Sequence, residues 1–203
     1  MALFGTDGVR GVAGVDLTAE LAFNLSTAAA SVLADLGEFA GHRPTAIVGQ
    51  DSRASGQYLE EAICRGLSSA GIDVYRVGIL PTPAISFLVK DRGADLGVMI
   101  SASHNPASDN GIKFFDRTGS KLADQIEAKI ESVLDKTVEI TNGAGKVIED
   151  LEAKESYIKN LLKSLDGNLS GLKVVVDCAN GAASFVAPDV LKRAGAEVIA
   201  ISA

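Results

Sequence analysis

Tryptophan is absent, aromatic residues make up only 5% of the chain, and there are two histidines, two cysteines and five prolines in 203 residues. The scarcity of histidine and cysteine leaves little material for a transition-metal or zinc centre. Cys64 and Cys178 lie far apart and form no C-x-x-C pair, so neither a disulfide framework nor a redox motif follows, and a reducing, cytoplasmic setting is expected. No run reaches the roughly 18 apolar residues of a membrane span, and the N-terminus has no apolar signal core, so no membrane partner is expected. Positive charge is in deficit: 19 Lys and Arg against 26 Asp and Glu give a formal net charge of −7. That balance speaks against a nucleic-acid partner, which needs a basic stripe. It leaves a phosphorylated small molecule open, because a cleft can carry a local field opposite to the total charge.

What is present is an alternation of periods. Thr18 is placed to cap a helix with Leu21, Leu25, Ala28, Ala29, Val32, Leu33 and Leu36 on one face, ending at Gly37. Short apolar runs at 45–49, 73–80 and 96–100 read as strands, separated by helices after Ser55 and from Pro83 to Lys90. Asn110-Gly111 is a turn signal, and the run 112–115 reads as a strand antiparallel to 96–100. The expected fold is therefore α/β: a three-layer α/β/α domain over 1–136 with a mixed, largely parallel sheet. A helix with Leu122, Ile126, Ile130, Val133 and Leu134 closes it, and 137–150, with Asn142-Gly143-Ala144-Gly145, reads as a linker. From 151 a helix, a strand at 172–177, a helix from about 182 to 193 and a strand at 197–201 read as the incomplete start of a second α/β domain.

The chemistry gathers in the polar loop after the strand 96–100. Ser101, Ser103, His104 and Asn105 put hydroxyl, imidazole and amide groups on one stretch, which Pro106 stiffens by restricting Asn105 to extended geometry. A serine that carries phosphate needs such surroundings, since phosphoserine holds roughly −1.5 to −2 charges and three acceptor oxygens. Read blandly, the same stretch is a polar turn with a surface histidine. Phe4-Gly5-Thr6-Asp7-Gly8-Val9-Arg10-Gly11 reads as a glycine-rich flexible loop that brings the Arg10 guanidinium to phosphate, or else as a turn-rich terminus with a solvated arginine. Lys113 is placed to reach back over the loop as a proton donor or phosphate clamp, unless it merely marks the polar side of a half-buried strand. Asp51-Ser52-Arg53 reads as an anion site, an ion pair or a turn, His42 as an exposed loop residue, and Asp177-Cys178-Ala179-Asn180-Gly181 as a structural turn.

Taken together, the opening octet, Gly49-Gln50-Asp51-Ser52-Arg53, the serine loop through Pro106 with Asn110-Gly111-Ile112-Lys113, and Asp177 to Ala182 resemble the α-D-phosphohexomutase family. The resemblance covers essentially the whole chain. It implies a mutase that interconverts glucosamine 6-phosphate and glucosamine 1-phosphate through a phosphoserine and a sugar bisphosphate. By this likeness Ser103 is the phosphoserine, catalytic together with His104, Lys113 and Arg10; Ser101 and Asn105 line the cofactor-binding loop; and Mg²⁺ is held through the phosphate on Ser103. A hexose phosphate is the implied substrate and a homodimer through the first domain the implied assembly. Members are about twice as long or more, and no Asp-x-Asp-x-Asp metal loop occurs here, so these 203 residues alone are expected to be inactive. The alternatives are a branch acting on mannose or glucose phosphates, or a non-catalytic sugar-phosphate-binding or oligomerisation module.

Overall fold

The computed structural model describes residues 3–134 and 143–203. Its main body is a six-stranded sheet built from β1 (Val9–Val12), β2 (Thr45–Gln50), β3 (Asp73–Ile79), β4 (Leu96–Ile100), β5 (Asp109–Asp116) and β6 (Val147–Glu149). The spatial order is β1-β5-β4-β2-β3-β6. β2 runs parallel to both β3 and β4, β6 parallel to β3, and β5 antiparallel to its neighbours β4 and β1. The mixed sheet expected from the sequence is the one observed.

Side-chain alternation divides the core between two faces. Ala46, Val48, Leu96, Val98, Ile100, Ile112 and Phe114 pack under α1 (Ala19–Asp35), α2 (Gly56–Ser69) and α4 (Asp124–Ser132). Ile47, Val77, Met99 and Phe115 point the other way, against α3 (Thr82–Arg92) and α5 (Ala153–Lys163). Strands covered on both faces have no polar side, which is why β4 is the unbroken run Leu-Gly-Val-Met-Ile. Thr18 caps α1 as expected, its Oγ1 accepting from the Leu21 N–H at 3.1 Å. Leu36 departs from the expected face and is largely exposed after the helix ends.

Two elements differ from the sequence reading. The segment around Arg10 is not a free loop: residues 9–12 form β1, hydrogen-bonded along β5 at the sheet edge. The stretch expected as a linker holds β6, which adds to β3 through the register Val74↔Val147 to Arg76↔Glu149; 137–142 lie outside the described residues. α5 also packs on the first body, with Phe87 and Tyr157 ring centroids 5.9 Å apart. The last unit contains β7 (Lys173–Asp177), a 3₁₀ turn (Ala182–Phe185), α6 (Ala187–Arg193) and β8 (Glu197–Ile201), where one continuous helix was expected between the strands. β7 and β8 form a separate two-stranded parallel sheet. Both cysteines are free and buried, and burial pushes the Cys64 thiol up to about 12.

Candidate active site

The loop from Ser101 to Ser108 leaves the carboxyl end of β4 beside the carboxyl end of β2, the edge at which parallel strands present ligand sites. Asp51, just past β2, ties the two strand ends together: its N–H donates to the Ile100 carbonyl at 2.9 Å. Its Oδ2 accepts from the Ser101 hydroxyl at 2.6 Å and from Arg53 Nε at 3.1 Å. Ser101 Oγ in turn accepts from the Ser103 N–H at 3.0 Å. Ser103 has φ +57°, in the left-handed region that side chains other than glycine rarely occupy. Its hydroxyl is exposed and lies 3.4 Å from His104 Nδ1. Asn105 donates its amide to Asp109 Oδ2 at 3.0 Å, while its N–H closes a turn on the Ala102 carbonyl.

Arg10 and Lys113 approach from the sheet edge. In β1, Arg10 faces Gly111 of β5, and Met99 of β4 faces Lys113 of β5, so both cations lie on the α3 side of the sheet. Gly111 is needed at that position, since a Cβ there would stand 2.6 Å from the Ser101 carbonyl oxygen and 3.0 Å from Arg10 Cγ. Gly8 takes φ +84° so that the chain can turn into β1. Arg10 Nη1 donates to Asn105 Oδ1 at 3.4 Å, and its Nε is buried without a hydrogen-bond partner. Lys113 Nζ pairs with Asp7 Oδ1 at 2.9 Å, and Arg10 lies 3.5 Å from the same carboxylate. The Lys113 hydrogen bond, followed by the charges of Lys113 and Arg10, holds the Asp7 carboxyl below its ordinary value.

Facing the serine loop across a cleft of about 830 Å³ is the turn after β7. Ala179 and Asn180 there are both left-handed, at φ +48° and +52°. The Ser52 hydroxyl donates to the Asn180 carbonyl at 2.6 Å and joins the two walls. Read from sequence as a structural turn, the segment 179–181 is a wall of the cleft, opposite Ser103, His104 and Asn105.

The structure thus gathers Ser101, Ser103, His104 and Asn105 on one rim, links Arg10 to it through Asn105, and sets Lys113 one step further out on Asp7. Arg53, visible in the sequence as a possible ion pair, makes that pair with Asp51, but its other partners are main-chain carbonyls that no spacing pattern reveals. No group of three or more His, Cys, Asp or Glu side chains among the described residues comes together to hold a metal ion. Asp51, the carboxylate beside the loop, is already engaged by Ser101 and Arg53. The described residues do not build a magnesium site on their own.

A parallel-strand edge carrying an exposed, left-handed serine, with Arg10 tied to its loop, suits phosphoryl chemistry. Residues 1–141 match the family model described as phosphoglucomutase/phosphomannomutase, alpha/beta/alpha domain I, and the chain belongs to that family. Within it, the chain is 58% identical over 201 residues to the phosphoglucosamine mutase of Thermobifida fusca, covering 98% of this chain and 44% of that protein. The phosphoglucosamine mutase of Streptomyces griseus is 57% identical over 208 residues, covering 99% and 46%. The chain therefore spans about half the length of the curated relatives it matches. Among solved structures, a phosphoglucomutase/phosphomannomutase family protein from Burkholderia thailandensis superposes with a TM-score of 0.83 at 29% identity, covering 99% of this chain and 44% of that one. No helix among the described residues is long and apolar enough to cross a membrane.

Proposed function

We propose that the full-length protein carrying these residues interconverts glucosamine 6-phosphate and glucosamine 1-phosphate through a phosphoserine at Ser103. The observation that carries this reading is Ser103 itself: a left-handed serine, exposed on a cleft rim, with its backbone N–H held by Ser101. In the first half-reaction the Ser103 Oγ–P bond breaks while a sugar hydroxyl oxygen bonds to phosphorus, giving a sugar bisphosphate and a free serine. The sugar turns over, and the other phosphate returns to Ser103 as the second half-reaction. The chain's own contribution is position and charge. Arg10 has an unpartnered Nε–H and is held only by a 3.4 Å bond to Asn105 and a 3.5 Å pair with Asp7, loose ties that a phosphate can replace. Lys113 suits proton exchange at the sugar hydroxyl once its pair with Asp7 opens. His104 steadies the serine oxygen and Asn105 couples the loop to Arg10. Mg²⁺, expected from the family, would join Ser103 only through the phosphate oxygens, with further ligands from outside the described residues.

The deciding measurement is phosphopeptide mass spectrometry on the tryptic peptide Gly93–Lys113 of the full-length protein from its own cell. The peptide contains Ser101, Ser103 and Ser108, so fragmentation must locate the phosphate. Phosphate on Ser103 is expected. A serine that stays bare even after exposure to glucosamine 1,6-bisphosphate with Mg²⁺ would sink the reading. Ser103→Ala is expected to abolish turnover, and the 203-residue chain alone is expected to show none in a glucosamine 6-phosphate assay.

A further inference from the structure

We propose that Arg53 positions Ser103 for phosphoryl transfer, acting as a fully used staple of the loop and not as a phosphate ligand; the inference rests on the phosphoserine reading above. A guanidinium has five N–H donors in a fixed fork. In Arg53 each has a protein acceptor: Nε donates to Asp51 Oδ2 at 3.1 Å, Nη1 to the carbonyls of Pro106 at 2.5 Å and Asp109 at 2.9 Å, and Nη2 to the carbonyls of Ser103 and Asn105, both at 2.9 Å. Four of the five acceptors are main-chain oxygens, three in the serine loop and one on Asp109 where β5 begins. The side chain is only 11% exposed. No donor is left over for a phosphate, in contrast to Arg10 with its free Nε–H.

The arrangement closes on Ser103. One carboxylate oxygen, Asp51 Oδ2, anchors both Ser101 Oγ and Arg53 Nε. Those two side chains then hold the two sides of Ser103: Ser101 takes its N–H, and Arg53 donates to its carbonyl. A serine kept in a left-handed conformation persists where its surroundings over-determine it, and this clamp supplies that constraint. The cationic fork also sits beside the residue that would carry phosphate. Lysine cannot replace it, having a point charge on a flexible stem and no fork to bridge four carbonyls.

The test is steady-state turnover of glucosamine 6-phosphate by the full-length protein, wild type against Arg53→Lys and Arg53→Ala. Loss of the clamp misplaces Oγ, so kcat is expected to fall about 100-fold with KM changed less than about 3-fold. Guanidinium added to Arg53→Ala is expected to restore kcat by about 10-fold, since the small cation refills the same carbonyl cradle. Wild-type kcat in Arg53→Lys, or a raised KM at unchanged kcat, would overturn the proposal, the second by making Arg53 a phosphate ligand. Should Arg53→Ala not fold, the lysine variant decides alone. The wild-type control separates the two readings: a wild type bare at Ser103 sinks the phosphoserine and the clamp together, whereas a phosphorylated, active wild type with an indifferent Arg53→Lys sinks the clamp alone.

Discussion

Serine pays a steric cost at φ +57° that glycine does not, on the order of 1–2 kcal/mol for a left-handed residue with a Cβ. Ala179 and Asn180 across the cleft bear a similar cost, so the strain alone assigns no role to the Ser103 hydroxyl, and a glycine variant separates strain from chemistry. Ser103→Gly is expected to melt at or slightly above the wild-type temperature, because relief of strain outweighs glycine's extra unfolded-state entropy of roughly 0.5–1 kcal/mol. The same variant is expected to lose the phosphopeptide signal completely. Differential scanning calorimetry beside mass spectrometry reads both, and a large drop in melting temperature would show that the side chain is there for packing. At this scale the sequence displays the chemistry and hides the mechanics. Ser103, His104 and Asn105 stand side by side in the chain, so their meeting is visible. The link from Arg53 to the carbonyls of 103–109 spans about fifty residues and involves no partner side chain except Asp51. Lys113 was legible as a cation beside the loop, but its engagement with Asp7 depends on the way β1 lies along β5.

Elements with a strong period were the legible ones: α1, α2 and the buried strands β2 and β4 fall where their apolar spacing puts them. β1 and β6 were not, for the same physical reason. Each is three or four residues long at a sheet edge, too short for a period, and Gly11 or the neighbouring Gly145 makes the local signal read as loop. Tertiary pairing with β5 and β3 decides both. The loop between α1 and β2 carries another feature that spacing missed. His42 Nε2 lies 2.8 Å from Asp95 Oδ1 at the start of β4, and the same oxygen accepts from Arg117 beyond β5 at 2.8 Å. Asp95 Oδ2 takes the Thr45 N–H at the start of β2. The hydrogen bond to Asp95, then that to the Ala40 carbonyl, raises the His42 imidazole above its ordinary 6.5 despite the nearby Arg117 charge. A raised folded value means the stabilisation is fully present below pH 6.5 and is lost as pH rises through the folded value. The melting temperature is therefore expected to fall across that window, and His42→Gln to flatten the dependence there; equal slopes for both proteins would remove His42 from the account.

For the whole molecule, the balance between the two bodies sets what the 203-residue chain can do by itself. The six-stranded sheet is covered on both faces except at its edge strand β6, whose three residues are exposed. The β7–β8 pair is covered on one. Val175 and Ile199 are direct cross-strand partners on the open face, 62% and 48% exposed, with Ile201 beside them and the Lys173–Glu197 ion pair at 2.9 Å at one end. A two-stranded sheet is marginal without a partner layer, and a contiguous apolar face of this kind marks a surface that binds something. Relatives are more than twice as long, and in the full-length protein this face is expected to lie against further chain. The isolated chain should therefore bind the dye ANS and elute as a mixture of monomer and larger species, while the full-length protein should do neither. Val175→Thr with Ile199→Thr keeps both positions β-branched and removes apolar surface, so stability should change by less than about 0.5 kcal/mol. Dye fluorescence and the larger species should drop together. Persistence of both in the double variant would move the sticky surface elsewhere, with exposed Ile148 in β6 and Leu151 just after it the next place to look.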